Sequence, residues 1–448
     1  MHVIDIKPGD VSWVGYKFLD ANTHSFLYKG QYYKAVLPTS SIHNSEKFDI
    51  LLSRMTERGF IPKTQKTSIK IGDYASVYHQ KTNFFSVALQ EQPFESVRQS
   101  ARLVLNIFLY LLTHNLTLFD GHTHNIIFQE NNKPLWCDIG SIVPYNEDIF
   151  RSSFIQFIKY FIYPILIREK SPYLEPVARL GLNQGISHEL FHILTDNLDL
   201  LKLVTDSNYT AQNICNATLE RINLVDFKYH KTDWGGYYDN VSDEIDEYKK
   251  PAPGKDNREA VIASMLKAVR PKYLVDIGAN AGRYSRLAAK LGAREVLSIE
   301  PDDVAMAKNW FTLQREALPI TLLQQGVSLT PFKQPGDTAI ALALTHHLFF
   351  TEKMPFRLIA SCLASYTTRH LITEFMPHGM LGKDKPVELP RDYSLEIFAK
   401  QLERHFASVE VIEYPFPVES SPRVLIVCNE KRAIPLDDGQ GNLNRAPA

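Results

Sequence analysis

Two acidic residues and two glycines have a spacing that could hold a nucleotide-like ligand. Asp276 is followed by a turn that contains Gly278, Asn280 and Gly282, and Glu300 comes later in the chain. Glycine has no Cβ, so the backbone at Gly278 and Gly282 can approach a ligand closely. A carboxylate at Glu300 could accept hydrogen bonds from both hydroxyls of a ribose. The chemistry that these residue types indicate is the binding of a nucleotide or a similar cofactor.

Short elements must position these residues. Tyr273–Ile277 and Val296–Ile299 are mostly apolar runs, which is typical of buried parallel strands. Between them, Tyr284–Leu291 has apolar residues at helical spacing. The order of strand, glycine turn, helix, strand and acid predicts a βαβ unit that cradles a nucleotide.

The glycine spacing separates two ligand classes. A dinucleotide fingerprint needs glycine at the first, third and sixth turn positions. These positions hold Gly278, Asn280 and Arg283, so only the first fits. The order of acid and glycines resembles instead motif I of class I S-adenosylmethionine (SAM)-dependent methyltransferases. The resemblance implies that Asp276 orders the methionine moiety of SAM and that Glu300 holds its ribose. An ordinary βαβ turn with incidental glycines is the alternative.

A second stretch could carry the transfer step. Thr338–Leu344 is an apolar run typical of a central parallel strand, and His346 and His347 follow it. Ligands of open parallel sheets bind beyond the carboxyl ends of the strands, so we expect these histidines near the glycine turn. Either could take a proton from an acceptor, or could simply pack the loop. Glu374, in the next predicted strand His370–Phe375, could be a second base, a substrate-orienting carboxylate or a solvated strand end.

The segment from Lys231 to Cys428 resembles one family. The matching residues read DIGANAGRYSRLAA, ALALTHHL and LITEFMP, with the aromatic-rich lead-in TDWGGYY before them. They are similar to two-part bacterial methyltransferases related to a rhizobial nodulation protein, often found with surface-polysaccharide genes. The resemblance implies SAM-dependent O-methylation of a glycan or another small-molecule or lipid-linked surface-polysaccharide intermediate. Such enzymes often carry an acid for the adenine amino group where this chain has Gln325, whose side-chain carbonyl could accept the same bond.

The N-terminal half contains a third set of residues that could do chemistry. Asp120 and Asn125 are five residues apart (125 − 120), the Asp-to-Asn spacing of a protein-kinase catalytic loop. A predicted hairpin, Ile126–Gln129 with Leu135–Cys137, delivers Asp138 in an Asp-Ile-Gly sequence. Phosphoryl transfer needs a carboxylate that accepts the hydroxyl proton, and Asn and Asp side chains that hold magnesium. The stretch resembles the protein kinase and aminoglycoside phosphotransferase superfamily, which implies ATP and Mg²⁺ as further cofactors.

The activity of the kinase-like half stays open. We find no glycine-rich phosphate loop in residues 1–80, and Lys34 is the best candidate for a phosphate-binding lysine, with Lys81 second. One alternative is a bifunctional kinase and methyltransferase that acts on one acceptor. The other is a non-catalytic kinase-like module that binds substrate or a partner and is fused to the methyltransferase.

Length and element order predict the domain organisation. A chain of 448 residues predicts two or three domains. We expect a kinase-like domain at 1–225 (small N-lobe about 1–90, helical lobe about 91–225), a linker or lid at 226–258, a methyltransferase domain at 259–430 and a flexible tail at 431–448. The expected fold class is a doubly wound, mostly parallel, seven-stranded α/β sheet of Rossmann-like type, preceded by an α+β kinase-like domain.

Composition excludes other classes. The 49 basic and 50 acidic residues nearly cancel, so no broad electrostatic surface for nucleic acid is expected. Four scattered cysteines fit a reducing compartment, and the start MHVIDIKPGD does not look like a signal peptide. The most apolar stretch, Phe154–Ile167, is too short to cross a bilayer and reads as one buried helix. We expect a cytoplasmic enzyme with a small-molecule or glycan substrate and peripheral contact with membrane-linked glycans.

Overall fold

The computed structural model divides the chain into two units, Met1–Lys231 and Thr232–Ala448. It describes residues 4–15, 22–196, 199–232, 234–235, 258–328, 330–380, 389–413 and 423–433. Most of the expected linker or lid at 226–258 and most of the expected tail at 431–448 therefore lie outside the described residues.

Unit 1 begins with strands and continues into helices. Its strands are β1 Ile4–Ile6, β2 Ser12–Val14, β3 Thr23–Tyr28, β4 Gln31–Val36, β5 Thr64–Lys66, β6 Ile69–Ile71, β7 Ser76–Gln80, β8 Leu116–Leu118, β9 Ile126–Gln129, β10 Lys133–Trp136 and β11 Ile142–Pro144. Its helices are α1 Glu46–Glu57, α2 Phe94–Leu112, α3 Glu147–Phe157, α4 Tyr163–Lys170, α5 Glu175–Gln184, α6 His188–Thr195, α7 Asp199–Thr205 and α8 Ala211–Asn223.

Local sequence explains how these elements pair. The turn between β3 and β4 uses Lys29 and Gly30, both with positive φ, which matches the twist of a tight hairpin. Strands β2, β3, β4, β7 and β5 pair in that order into one antiparallel sheet. Helix α1 begins at a Ser45 cap, whose hydroxyl accepts the Phe48 N–H at 3.2 Å. Separate antiparallel pairs, β9 with β10 and β8 with β11, bracket the loop that holds Asp120 and Asn125.

The apolar stretch Phe154–Ile167 is largely buried and helical throughout, as expected, but it contains a π-turn. Helix α3 ends at Phe157, Ile158–Ile162 form a wider π-turn, and α4 starts at Tyr163. Pro164 lacks an N–H, so the backbone there cannot continue the ordinary ladder, and the Tyr163 N–H bonds the Ile158 carbonyl instead. Within the described ranges, none of the helices combines the length and the apolar character that a membrane span needs.

Unit 2 alternates strands and helices. Its strands are β12 Tyr273–Ile277, β13 Glu295–Ile299, β14 Ile320–Leu323, β15 Gly336–Ala341, β16 Thr367–Phe375, β17 Phe406–Glu413 and β18 Val424–Lys431. Its helices are α9 Arg258–Val269, α10 Arg283–Lys290, α11 Asp303–Leu313, α12 Thr345–Phe350, α13 Phe356–Ser365 and α14 Leu395–Glu403.

The strands of unit 2 form the mostly parallel sheet that the sequence predicts. Among the residues described, seven strands pair in the order β14-β13-β12-β15-β16-β18-β17. The first five of these are parallel, and β18 runs antiparallel to both of its neighbours. Val275 of β12 lies opposite Leu297 of β13 and Ala339 of β15. The chain leaves β12 toward one edge and returns to β15 on its other side, and ligands of such sheets bind beyond the carboxyl ends at this reversal.

Strand β15 is shorter than expected. It ends at Ala341 rather than Leu344, because Ala343 adopts a φ of 52°, in the left-handed region that ends extended chain. The residues that follow form helix α12, which begins at Thr345. His346 and His347 therefore lie in the first turn of a short helix rather than in a loop.

Candidate active site

A buried chain of polar groups holds Asp276 at the carboxyl end of β12. Its side chain is 3% exposed, and the Ser285 hydroxyl donates to Asp276 Oδ2 at 2.6 Å. The Ser285 and Ser298 hydroxyl oxygens are 3.0 Å apart, and Asn309 Nδ2 donates to Ser298 Oγ at 2.9 Å. Groups from α10, β13 and α11 thus fix the orientation of this carboxylate.

Gly278 and Gly282 are required in the turn for different structural reasons. Gly282 has a φ of 76°, and a Cβ there would lie 2.2 Å from Asn309 Oδ1, so a side chain would displace the polar chain below Asp276. Gly278 has a φ of 71°, but a Cβ would meet only Leu344, at an ordinary 3.5 Å. Gly282 is required by internal packing and Gly278 by its backbone conformation.

Glu300 ties the turn to the end of β13. Its Oε2 accepts the Asn280 N–H at 2.8 Å, and its Oε1 accepts the Asp302 N–H at 2.9 Å. The side chain is 5% exposed. Each carboxylate oxygen can accept a second hydrogen bond, so capacity for a ligand hydroxyl remains.

The two carboxylates form an anionic pair. Burial raises the pKa of Asp276 from 3.8 to about 7, although the Ser285 hydrogen bond opposes this. Burial also raises the pKa of Glu300 from 4.5 to about 7. In the described part of the chain, neither carboxylate has an ion-pair partner. A positively charged ligand would supply the missing counter-charge.

His346 and His347 share the rim with this turn but differ in accessibility. His346 is 5% exposed, its Nδ1 has no hydrogen-bond partner among the described residues, and burial lowers its pKa to about 3. His347 is half-buried, and burial lowers its pKa as well. Both imidazoles are therefore neutral near pH 7. A base works best when its pKa lies near the operating pH, which favours His347 over His346.

Glu374 is enclosed rather than available to a substrate. None of its side chain is exposed, so it is not a solvated strand end. Its Oε2 accepts the Ala343 N–H and an Arg423 Nη1–H, each at 2.8 Å, and lies 3.6 Å from Arg258 Nη1. The catalytic roles expected for Glu374 do not fit these surroundings, because a catalytic group must touch the substrate.

The remaining predicted residue of unit 2 lies at the same edge of the sheet. Gln325 follows β14, and its N–H bonds the Leu323 carbonyl at 3.1 Å. Its side chain is partly exposed, as a contact with adenine would require.

In unit 1, Lys34 and Asp138 meet although they are 104 residues apart. Lys34 Nζ lies 3.0 Å from Asp138 Oδ1, and both side chains are largely buried. Burial lowers the pKa of Lys34, but the charge of and hydrogen bond to Asp138, together with the nearby Tyr32 and Cys137, outweigh burial, so the pKa rises overall. The Gly140 N–H also donates to Asp138 Oδ1, at 3.2 Å. The Lys34 ammonium group, in β4, and the Asp138 carboxylate, just after β10, thus form an ion pair in the interior of unit 1.

Asp120 and Asn125 lie in the loop between β8 and β9. Asn125 accepts the Cys137 N–H through its main-chain carbonyl at 2.9 Å, and its side-chain Nδ2 is buried with no hydrogen-bond partner in the described ranges. Asp120 lines a cavity of about 350 Å³ together with Phe119, Asp148, Ile149, Ser152, Ser153 and Gln156. No group of three or more His, Cys, Asp and Glu side chains in the described residues is arranged to hold a metal ion.

Sequence reasoning missed the partners of the predicted residues. Arg258 and Arg423 carried no signal, because Arg258 starts α9 and Arg423 precedes β18, both far from Glu374 in sequence. Ser285 had a weak one: it is a small polar residue on the otherwise apolar face of α10. Trp234 belonged to the matching lead-in, but nothing in its sequence context placed its ring 4.6 Å from that of His347.

Comparisons with known proteins give one sequence relative and several structural likenesses. No protein-family model matches the chain. The nodulation protein NoeA of Rhizobium meliloti (strain 1021) is 23% identical over 365 residues, which cover 70% of this chain and 74% of NoeA. The region that matches NoeA includes residues of both units, because it is longer than either unit alone.

Two solved structures illustrate the likenesses in shape. N-methyltransferase NodS from Bradyrhizobium japonicum WM9, in complex with S-adenosyl-L-homocysteine (SAH), is 12% identical and covers 38% of this chain and 87% of its own, with a TM-score of 0.31. The bifunctional kinase-methyltransferase WbdD is 17% identical and covers 39% of this chain and 40% of its own, with a TM-score of 0.30. At these TM-scores the likenesses carry no argument about this chain.

Proposed function

We propose that this chain is a SAM-dependent methyltransferase whose catalytic domain spans 259–430. The observation that carries the proposal is the buried pair Asp276 and Glu300, which flanks a glycine turn at the carboxyl ends of β12 and β13. NoeA, at 23% identity, supports the resemblance to proteins related to a rhizobial nodulation protein. From that resemblance we propose O-methylation of a glycan or another small-molecule or lipid-linked surface-polysaccharide intermediate.

The residues present fit the cofactor. SAM supplies a methyl group on a positively charged sulfonium and also carries an ammonium group, which complements the unpaired carboxylates of the turn. Asp276 and Asn280, with the backbone of Gly278 and Gly282, would hold its amino-acid part. Glu300 would accept from the ribose hydroxyls, and Gln325 would accept from the adenine amino group.

His347 is the group that we propose as the base. It is neutral near pH 7 and half-buried, so it can accept a hydroxyl proton as the acceptor's oxygen takes the methyl group. His346 packs beside it, with ring centroids 4.1 Å apart. The Thr345 hydroxyl donates to the Glu374 carbonyl at 2.6 Å and so fixes the start of α12. In-line transfer depends on such positioning.

Methyl transfer from labelled SAM to a glycan fraction of the producing cells tests this function. We expect His347→Gln to lower the transfer rate about 100- to 10,000-fold, because glutamine keeps hydrogen-bonding atoms but accepts no proton. SAH affinity, measured by calorimetry, should stay within a few-fold. His405→Gln is the matched control, since His405 is also half-buried and burial lowers its pKa too. Wild-type protein that transfers no methyl group, or a fully active His347→Gln variant, would contradict the proposal.

A second function is favoured by the Lys34–Asp138 ion pair. We propose that residues 1–225 form a kinase-like domain, with a small N-lobe at about 1–90 and a helical lobe at about 91–225. Lys34 would bind ATP phosphates, Asn125 and Asp138 would hold Mg²⁺, and Asp120 would accept the acceptor's hydroxyl proton. The cavity beside Asp120 fits an acceptor at this position. Asn125 Nδ2, which has no hydrogen-bond partner in the described ranges, could donate to a phosphate oxygen and leave Asn125 Oδ1 for the metal. The alternative is a non-catalytic kinase-like module that binds substrate.

Magnesium-dependent ATP turnover separates these alternatives. Asp138→Asn should lower turnover at least about 100-fold, because a charged ligand of the metal is lost. That variant also removes the partner of buried Lys34, so Asn125→Ala, which leaves the ion pair intact, should lower turnover comparably. Asp199→Asn, at a largely exposed position on α7, is the control. If the wild-type chain binds no ATP in the presence of Mg²⁺, the domain is the non-catalytic module.

The proposed setting is the cytoplasm. The four cysteines, Cys137, Cys215, Cys362 and Cys428, are all free thiols, as a reducing compartment would keep them. We propose that the chain meets membrane-linked glycans only peripherally.

A further inference from the structure

A short segment before the sheet of unit 2 lies against the glycine turn. The Trp234 carbonyl accepts a hydrogen bond from Asn280 Nδ2 at 3.1 Å. The carbonyl of Gly235, the next residue, accepts one from Lys308 Nζ of α11. A Cβ on Gly235 would lie 2.6 Å from Val304 Cγ1, so the backbone sits directly on α11. Contacts with both the turn and the helix fix the Trp234 backbone.

The Trp234 side chain points to the other half of the site. Its ring meets that of His347 with centroids 4.6 Å apart at 86°, which is an edge-to-face contact. The indole is 41% exposed, whereas Trp136 is fully buried and Trp310 is 8% exposed. One residue therefore touches the cofactor turn through its main chain and the proposed base through its side chain.

We propose that Trp234 is a positioning residue for methyl transfer: its indole orients the His347 imidazole toward the acceptor and shields it from water. This inference rests on the function proposed above for the same site. The edge-to-face contact restricts rotation of the imidazole, and a base transfers a proton efficiently only when it is aligned with the acceptor. The main-chain bond to Asn280 does not depend on which side chain stands at position 234.

Because the main chain and the side chain of Trp234 make different contacts, substitutions of its side chain should change kcat without changing the Kd for SAH. Trp234→Ala removes the ring but keeps the carbonyl, so we expect kcat to fall about ten- to hundredfold while the Kd for SAH stays within threefold. Trp234→Phe restores an aromatic edge and should recover kcat to within about threefold of wild type. A residue that only stabilised the fold would not give this split between kcat and Kd.

Tryptophan fluorescence tests the contact without requiring methyl transfer. A protonated imidazole beside an indole quenches its emission, so we expect emission to fall as the pH drops from 8 to 5. The midpoint should lie below pH 6.5, because burial lowers the pKa of His347. His347→Gln and Trp234→Phe should each remove the part of this transition that comes from Trp234, whereas His405→Gln should leave it unchanged. Any part that is still present in Trp234→Phe belongs to the other indoles, such as Trp13, whose ring centroid lies 6.3 Å from that of His24.

The outcomes distinguish this inference from the function on which it rests. Trp234→Ala protein that binds SAH and transfers methyl groups at the wild-type rate would overturn the positioning role alone. A fluorescence transition of the same amplitude in His347→Gln as in wild type would overturn it as well. Wild-type protein that binds neither SAM nor SAH would overturn the proposed function, and the role of Trp234 in methyl transfer with it.

Discussion

Replacing Asp276 with asparagine should weaken SAM binding at least about 100-fold at pH 8, because it removes one of two negative charges that face a cationic ligand in a buried site. Asparagine has nearly the same volume, and its Oδ1 can still accept the Ser285 hydrogen bond. We therefore expect Asp276→Asn protein to fold normally. Calorimetric titration with SAM measures the effect directly, and thermal unfolding checks the fold.

A matched control shows whether the loss of SAM affinity comes from the site itself or from the change in the net charge of the protein. Glu396→Gln makes the same acid-to-amide change at an exposed position on α14 and should leave the Kd for SAM unchanged. If Asp276→Asn bound SAM as tightly as wild type, the glycine turn would not be the cofactor site.

The pH dependence of the same titration has a defined sign. The pKa values of Asp276 and Glu300 are each raised to about 7, so both groups gain protons as the pH falls through that value. A cation binds the deprotonated forms better. SAM affinity should therefore decrease from pH 8 to pH 6 by about tenfold for each carboxylate that protonates. Asp276→Asn should flatten the curve, since only Glu300 is left to titrate.

Replacing Glu374 with glutamine should lower the free energy of unfolding by about 3–5 kcal/mol, because it removes the charge of a fully buried carboxylate on which two largely buried arginines converge. Arg258 and Arg423 are only 9% and 15% exposed and converge on the same carboxylate oxygen. The Ala343 N–H bonds that oxygen too. Urea denaturation of the full chain, followed by circular dichroism, measures the loss.

An exposed ion pair in the same sheet provides the comparison. Arg369 and Glu430 are each 59% exposed, so solvent screens their interaction and Glu430→Gln should change stability little. If Glu374→Gln kept wild-type stability but lost methyl transfer, Glu374 would be a catalytic residue after all.

Local sequence was enough to predict the parallel strands and the glycine turn of unit 2. Parallel strands buried on both faces read as continuous apolar runs, so β12 was predicted at its observed bounds and the prediction for β13 omitted only Glu295. Asp276 and Glu300 could be found because their positions follow from where those strands end. The pairing of Lys34 with Asp138 was not predicted, because sequence reasoning offered the two residues only as separate candidates for binding phosphate and magnesium.

What sequence could not supply were contacts between distant residues. Nothing near Glu374 indicates that Arg258 and Arg423 enclose it, so a buried anchor was mistaken for an accessible carboxylate. Ala343 ends β15 by a backbone conformation that alanine rarely adopts, and no sequence rule predicts it. Pro164 was a local signal for the π-turn that the prediction of a helix over Phe154–Ile167 did not use.

Asp276 and Glu300 at the glycine turn also lower the stability of the fold in exchange for ligand binding. In the unfolded chain these groups have ordinary pKa values of 3.8 and 4.5, so the folded protein holds their protons more tightly. Stability therefore falls as the pH rises from about 4 through about 7. Near neutral pH the pair is a liability for folding that selection tolerates for the sake of binding. A screen for heat resistance alone would favour an amide at position 276, where only one carboxylate oxygen accepts a side-chain hydrogen bond in the described structure, and would select variants that fold better and bind SAM more weakly.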